Sequence, residues 1–459
     1  MMDLVVKNGT VVTSGSMAVS DVGVEGEKIA VIGPGLTGKR EIDARGKYVF
    51  PGGIDVHVHL TPSYIPGADA PKRVDDFLSG SAAAVAGGIT TIGNMTFQRP
   101  GETLREGVAR DMEDARRNAV CDYVLHPVLT DPSERNLAQL PDLAADGHTS
   151  LKIFLLFEHF DARVADYIKA IQTAGRHGTI SMLHCEDGAL IRCVCQELLA
   201  KGLGAPRYYP NSRPVFTESA SVERAVAIVR ATGAPAYIVH LSSRAALDAA
   251  RRGRADGLPV YVETRPIYLY LTRERFEEPD AAKYVGNPPL REVIDLQSIW
   301  HGLHHGDIQC LCSDHVGWSL EQKLEPGLNI TTVRPGMADL ETLMPMLYSE
   351  GVHGGRISLS RFVEVTSTNT AKLFGMYPQK GTIAVGSDAD LVVWDPAALR
   401  KIEGSKMRSN AGYSVYEGRQ VQGWPACTIS RGEVVFENGE ITARRGRGKW
   451  VRRGRTMAL

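Results

Sequence analysis

Eight short apolar runs alternate with helix-like stretches through the middle of this 459-residue chain. The strand candidates are 54–59, 90–95, 123–128, 151–156, 180–184, 236–240, 260–264 and 309–313. Between most of them lie helical stretches, among them 103–117, 161–176, 188–200, 219–232 and 291–304. Eight strands alternating with helices predict an α/β fold whose centre is a (β/α)8 barrel over 51–374. An open doubly wound sheet is the alternative, but no Gly-x-Gly-x-x-Gly phosphate loop follows an early strand.

The two ends share a different pattern. Val5–Val12 is two short strands around Asn8-Gly9, a hairpin signal, and 22–33 repeats it. Asp390–Trp394 and Cys427–Gly439 are again hairpin-like. The economical organisation is one small β-sandwich domain built from 1–50 and 375–443, with the barrel inserted between its halves. A basic tail, 444–459, follows.

Bulk composition excludes several classes. Lys+Arg 52 against Asp+Glu 53 gives a formal charge of −1, so nothing global points to nucleic acid. No apolar run is long enough to span a membrane, and the first residues read as a strand and turn rather than a signal peptide. Seven cysteines, an odd number on a large chain, suggest reduced thiols in a cytoplasm. Cys193-x-Cys195 and Cys310-x-Cys312 are spaced too tightly for a zinc knuckle and read as small buried hydrophobes.

In a barrel, functional side chains collect where strands end. The first strand ends His57-Val58-His59, and alternation on a strand sends both imidazoles to one side, a metal-ligand geometry. The fourth carries Lys152 in an apolar run, the fifth ends at His184, the sixth at His240 and the eighth at Ser313-Asp314-His315. Singly, each has a bland explanation. A histidine can be a hydrogen-bonded core residue, Lys152 can snorkel with its stem buried, and Asp314 can cap a helix. All six at one rim point instead to a metal site. An ammonium has no lone pair to offer a cation, but desolvation lowers a lysine's pKa. The neutral amine can then add carbon dioxide and become a carbamate that bridges two metals. Zn²⁺ is the first choice, since imidazole and oxygen ligands suit it.

These segments resemble the cyclic amidohydrolases of the amidohydrolase superfamily, in their hydantoinase/dihydropyrimidinase branch. The matching motifs run from Pro51-Gly52-Gly53-Ile54-Asp55-Val56-His57-Val58-His59, through Lys152-Ile153-Phe154, His184-Cys185-Glu186-Asp187 and Val239-His240-Leu241-Ser242. They continue with Asn287-Pro288-Pro289-Leu290-Arg291, Ser313-Asp314-His315, Ser367–Gly375 and Lys380–Asp390. The resemblance implies two divalent metals and a carbamylated lysine. His57 and His59 would hold the more buried metal, His184 and His240 the more exposed one, and Lys152 would bridge. Asp314 would be ligand and acid/base. The implied reaction is ring opening of hydantoins or 5,6-dihydropyrimidines to N-carbamoyl amino acids. The alternatives are an allantoinase- or dihydroorotase-like hydrolase and a non-catalytic scaffold.

Departures bear on the substrate. Dihydroorotases and allantoinases usually place an arginine just after the histidine pair; here Leu60-Thr61-Pro62 follows. The branch usually has a tyrosine where this chain has Phe157, and commonly a serine where it has Asn287. Pro335 and Gly336 align with a segment that offers a backbone carbonyl to the substrate ring. Tyr64, Ile65, Met95, Leu155 and His159 are the expected lining for a side group. The tail is expected to make an oligomer contact in a homotetramer or homodimer, rather than to bind nucleic acid.

Overall fold

A computed structural model of the chain describes residues 1–60 and 71–459. The central strands are β6 (Gly53–Val58), β7 (Ile89–Phe97), β8 (Asp122–Val128), β9 (Ser150–Phe154), β10 (Ile180–His184), β11 (Ala236–Ile238), β12 (Val260–Thr264) and β13 (Cys310–Leu311), with five strands before them in the chain and four after. They pair in sequence order, all parallel. The ring is drawn shut between its first and last members. Val58 forms a parallel bridge with His315, the His59 amide donates to the His315 carbonyl at 2.9 Å, and the Ser313 amide donates to Asp55 Oδ2 at 3.0 Å. Every residue of β6 and β8 is buried, as expected of parallel strands covered on both faces.

Local signals start the surrounding helices. Asp76 caps 77–86 by accepting from the Leu78 and Ser79 amides, both at 2.9 Å. Thr103 and Glu106 form a capping box for 104–118. Inside the barrel, Ile54, Met95, Val124, Met182, Tyr237 and Cys312 pack with Phe374, from the segment closing the bottom. Cys310 and Cys312 are thus core residues, and all seven cysteines are free.

The termini build one nine-stranded sheet. The N-terminal half supplies β1 (Met2–Val12), β2 (Met17–Glu25), β3 (Lys28–Gly33), β4 (Gly38–Asp43) and β5 (Tyr48–Pro51). The C-terminal half supplies β14 (Leu391–Lys401), β15 (Gln420–Ser430), β16 (Glu433–Glu437) and β17 (Glu440–Ile441). The halves meet where β5 and β14 run antiparallel, Val49 opposite Val393. Chain continuity from β5 into β6 then fixes the barrel against this sheet. A side chain at Gly52, in that junction, would collide with Thr90. A buried ion network adds a second tie. Lys380 Nζ lies 2.8, 3.0 and 2.6 Å from Asp122, Asp388 and Asp390, and Arg431 reaches Asp122 at 2.9 Å. That acidic cluster is neutralised by the chain's own cations.

The basic tail lies along its own chain. Trp450 bridges in parallel to Tyr123, and Arg453 is buried, donating to Ser150 Oγ at 2.8 Å and the Leu125 carbonyl at 3.0 Å. Arg447 is buried too and donates to the Ser430 carbonyl at 2.8 Å. These two arginines are consumed inside the monomer, so an oligomer contact must use other tail residues. Among the described residues, no helix is long and apolar enough to cross a membrane.

Candidate functional site

His57 is the penultimate residue of β6, Lys152 stands mid-way along β9 and His184 ends β10, while His59, His240 and Asp314 follow β6, β11 and β13. The structure brings all six to one end of the barrel interior, and all six are buried. Lys152 Nζ is 3.4 Å from His57 Nε2. Asp314 Oδ1 is 3.3 Å from His57 Nε2 and 3.0 Å from His59 Nε2. The His240 ring lies 5.5 Å from that of His57 and 4.5 Å from that of His184, centroid to centroid. His57, His59 and Asp314 form a group able to hold a divalent cation, their donor atoms all within 4.8 Å of one another.

The electrostatics fit that chemistry. Burial pushes His59 down to about 3 and drives His240 well below its ordinary value, and it lowers His184 as well. These rings are therefore neutral and keep a lone pair for a metal. His59 Nδ1 and His240 Nδ1 are enclosed without a partner among the described residues. Burial opposes ionisation of Asp314, but Arg265 and the adjacent histidines outweigh it and hold the carboxyl well below the usual range. Burial also lowers Lys152 to about 8, against the pull of Asp314 and Glu263. A substantial fraction of its amine is then neutral near pH 7–8, as carbon dioxide addition requires.

Surrounding groups fix the orientations. Glu263 Oε1 lies 2.7 Å from His57 Nδ1, which turns His57 Nε2 inward. Glu186 Oε2 lies 2.8 Å from His184 Nε2 and is itself held by Arg213 at 2.9 Å. Arg265 Nη1 donates to Asp314 Oδ2 at 2.9 Å, leaving Oδ1 toward the histidines. His240 (φ 40°) and Asp314 (φ 48°) both adopt the left-handed backbone region. That conformation is unfavourable for residues bearing a Cβ and persists only where surrounding contacts impose it. Sequence reasoning missed Glu263, Arg265 and Arg213. Glu263 and Arg265 left one signal, a charge inside or just past an apolar strand, whereas Arg213, in a connection between two helices, left none.

A cavity of about 290 Å³ opens above these groups. Phe157, Asn287, Pro335 and Gly336 all line it, as do Arg73 and Trp318. The Pro335 carbonyl already accepts the Trp318 indole N–H at 2.9 Å and the Gly336 carbonyl accepts Lys323 Nζ at 2.9 Å, so each keeps one lone pair for a further donor. A second space of about 660 Å³ adjoins it across Phe97 and Phe157, and His159 lines that one. Two expected lining residues are corrected. Met95 is buried in the barrel interior and Leu155 in the surrounding core, so both pack rather than face a cavity. Tyr64 and Ile65 lie outside the described residues.

Known proteins resemble this chain along its length. Residues 48–435 match the Amidohydrolase family. A D-hydantoinase of Ralstonia pickettii is 38% identical, with 98% of this chain and 99% of that protein covered. A D-phenylhydantoinase of Escherichia coli is 37% identical over 98% of both. The crystal structure of a dihydropyrimidinase from Brevibacillus agri superposes with a TM-score of 0.95 at 37% identity, covering 100% of both chains. With a family match across most of its length and relatives aligned from end to end, the chain belongs to the amidohydrolase family.

Proposed function

We propose that this protein hydrolyses the ring C–N bond of a cyclic amide, with hydantoins and 5,6-dihydropyrimidines as the substrate class. The observation that carries this is the convergence of four buried imidazoles, Asp314 and the desolvated Lys152 beneath one cavity. The relatives named hydantoinase and dihydropyrimidinase support it.

The donor set fits two divalent cations, with Zn²⁺ the first choice for imidazole and oxygen ligands. His57, His59 and Asp314 would hold one, and His184 and His240 the other. Lys152 would sit between them as its carbamate. Its neutral Nζ forms the N–C bond to carbon dioxide, and the proton released leaves an anion with two ligand oxygens. When bound, such cations lower the pKa of water to about 7 and polarise a carbonyl.

The remaining steps belong to the chain. Asp314 Oδ1 accepts the proton of the attacking water and returns it to the ring nitrogen as the C–N bond breaks. Arg265 keeps Asp314 ionised and fixes which oxygen faces the substrate. Glu263 and Glu186 hold His57 and His184 in the tautomers that ligation needs. Phe157 brings no hydroxyl to the developing oxyanion, so a donor must come from elsewhere or turnover of simple hydantoins is slow.

The finer proposals are an assembly of two or four copies and a reduced, cytoplasmic setting. They rest on the exposed remainder of the tail and on the seven free thiols. The test is ring opening of hydantoin, 5-substituted hydantoins, dihydrouracil, allantoin and dihydroorotate by protein of measured metal content. About two equivalents of metal with turnover of the first three supports the proposal. Folded, metal-free protein that turns over none of them overturns it in favour of a scaffold.

A further inference from the structure

Arg73 reaches the wall of the cavity above Asp314 and His59. Its backbone is held on both sides. Gln322 Nε2 donates to the Lys72 carbonyl at 2.9 Å, the Val74 amide donates to the Gly317 carbonyl at 2.9 Å, and Asn410 Nδ2 donates to the Val74 carbonyl at 3.0 Å. Asp75, buried, takes His315 Nε2 at 3.0 Å and the Asn410 amide at 2.8 Å. The neighbours of Arg73 are therefore fixed to segments 315–322 and 409–410, while its own side chain projects into the cavity.

That side chain has no acceptor among the described residues. Among the described residues its guanidinium makes no hydrogen bond or ion pair, and its Nε is enclosed without a partner. The other arginine beside Asp314, Arg265, is committed to Asp314 at 2.9 Å and Asp339 at 3.6 Å. The walls around Arg73 include Phe97, Phe154, Phe157, Val316 and Trp318, and the carboxylate lining the same cavity, Asp314, is already held by Arg265. A cation pre-positioned against apolar walls, with no partner of its own among the described residues, is a receptor for an anion, because a low-polarity surround strengthens the pairing.

We propose that Arg73 receives a carboxylate carried on the substrate, so that the substrate class is cyclic amides bearing an acidic side group. This deepens the cyclic-amide reading and rests on it. A carboxylate is the small planar acid whose two oxygens match the guanidinium fork. Burial lowers Arg73 to about 10, with Asp314 acting in opposition, so it stays charged at neutral pH.

The test compares hydantoin-5-acetic acid with its neutral isostere, hydantoin-5-acetamide, on zinc-loaded protein. Two readouts are taken: kcat/KM for ring opening, and calorimetric binding of the two ring-opened products. The acid is expected to be preferred by at least about tenfold in both. Arg73→Gln is expected to erase that preference, whatever its absolute rate, and Arg73→Lys to restore part of it, since a point charge lacks the fork. Equal handling of acid and amide by the wild type overturns the proposal, as does an Arg73→Gln protein that keeps the preference. The two readings fail separately. If metal-replete protein opens neither ring, the cyclic-amide reading falls, while the binding measurement still decides for or against Arg73 as the acid receptor.

Discussion

Glu263 Oε1 stands 2.7 Å from His57 Nδ1 and also accepts the His240 amide at 3.0 Å, so one carboxylate from β12 ties together two ends of the candidate metal centre. Glu263→Gln keeps the shape but removes the charge that supports the His57 tautomer. Loss of such a partner typically costs about 10–100-fold in metal affinity. The expected result is folded protein that surrenders its metal to a chromophoric chelator at correspondingly lower chelator concentration. Wild-type retention would show that Glu263 serves the fold alone.

Lys152→Ala removes the bridging group from the proposed centre. Metal content is expected to fall below two equivalents and turnover by at least about 10²-fold. Acetate or propionate should partly restore both by filling the vacated space with a carboxylate. Labelled bicarbonate followed by carbon NMR should show a carbamate signal in the wild type and none in the variant. A variant with wild-type rate and metal content rules the carbamate out.

Phe157 lines the cavity and stacks on Phe154 with ring centroids 4.7 Å apart. Phe157→Tyr adds a hydroxyl at the position where the resembling branch has one. An oxyanion donor is worth about 10²–10³ in rate. Turnover of unsubstituted hydantoin is therefore expected to rise, in kcat more than in KM. An unchanged kcat would place the oxyanion donor on another residue.

The six side chains of the candidate centre were legible because each interrupts an apolar strand or stands just past its end, a local pattern. The terminal sheet was legible from the hairpin turns at Gly26 and Asn438-Gly439. Asn8-Gly9, read as a turn, is instead a bulge inside the single strand Met2–Val12, because both sides of it stay paired to the same neighbour. Glu263, Arg265 and Arg73 were not, because their meaning depends on partners brought in by the fold: Arg265 faces Asp314 across 49 positions of sequence. Met95 and Leu155 failed for another reason. Beside a strand end, a one-residue difference in direction separates core from cavity, and composition does not report it. The basic run of the tail did not tell which of its arginines stay inside the chain: Arg447 and Arg453 are buried on backbone carbonyls, a use of arginine visible only once the fold is built.

Glu341 gives a pH signature separate from the centre. Burial pushes its carboxyl up to about 7, opposed by the Arg408 amide at 2.7 Å and by the nearby arginines. A carboxyl raised on folding stabilises fully below its ordinary value of 4.5, and that contribution is lost as pH rises through about 7. Glu341→Gln keeps the acceptor and cannot ionise. Its Tm relative to wild type is expected to be near zero or negative at pH 4 to 5 and to climb between pH 5 and 8. A difference that stays flat across that window excludes the burial argument.

Lys323 holds the cavity's floor loops together. Its Nζ, buried, donates to the carbonyls of Val285, Arg334 and Gly336 at 2.9, 2.7 and 2.9 Å. Those acceptors belong to the two segments that present Asn287, Pro335 and Gly336 to the cavity. Lys323→Met preserves most of the volume and leaves three carbonyls without that donor. Each unsatisfied buried carbonyl costs about 1–3 kcal/mol, with relaxation recovering part. The unfolding free energy is expected to drop by on the order of 3 kcal/mol, since not all three acceptors stay unsatisfied. Because the loops position substrate rather than move protons, KM should rise more than kcat falls. A variant with unaltered denaturant midpoint and KM would mean that the loops are held by packing, with the ammonium incidental.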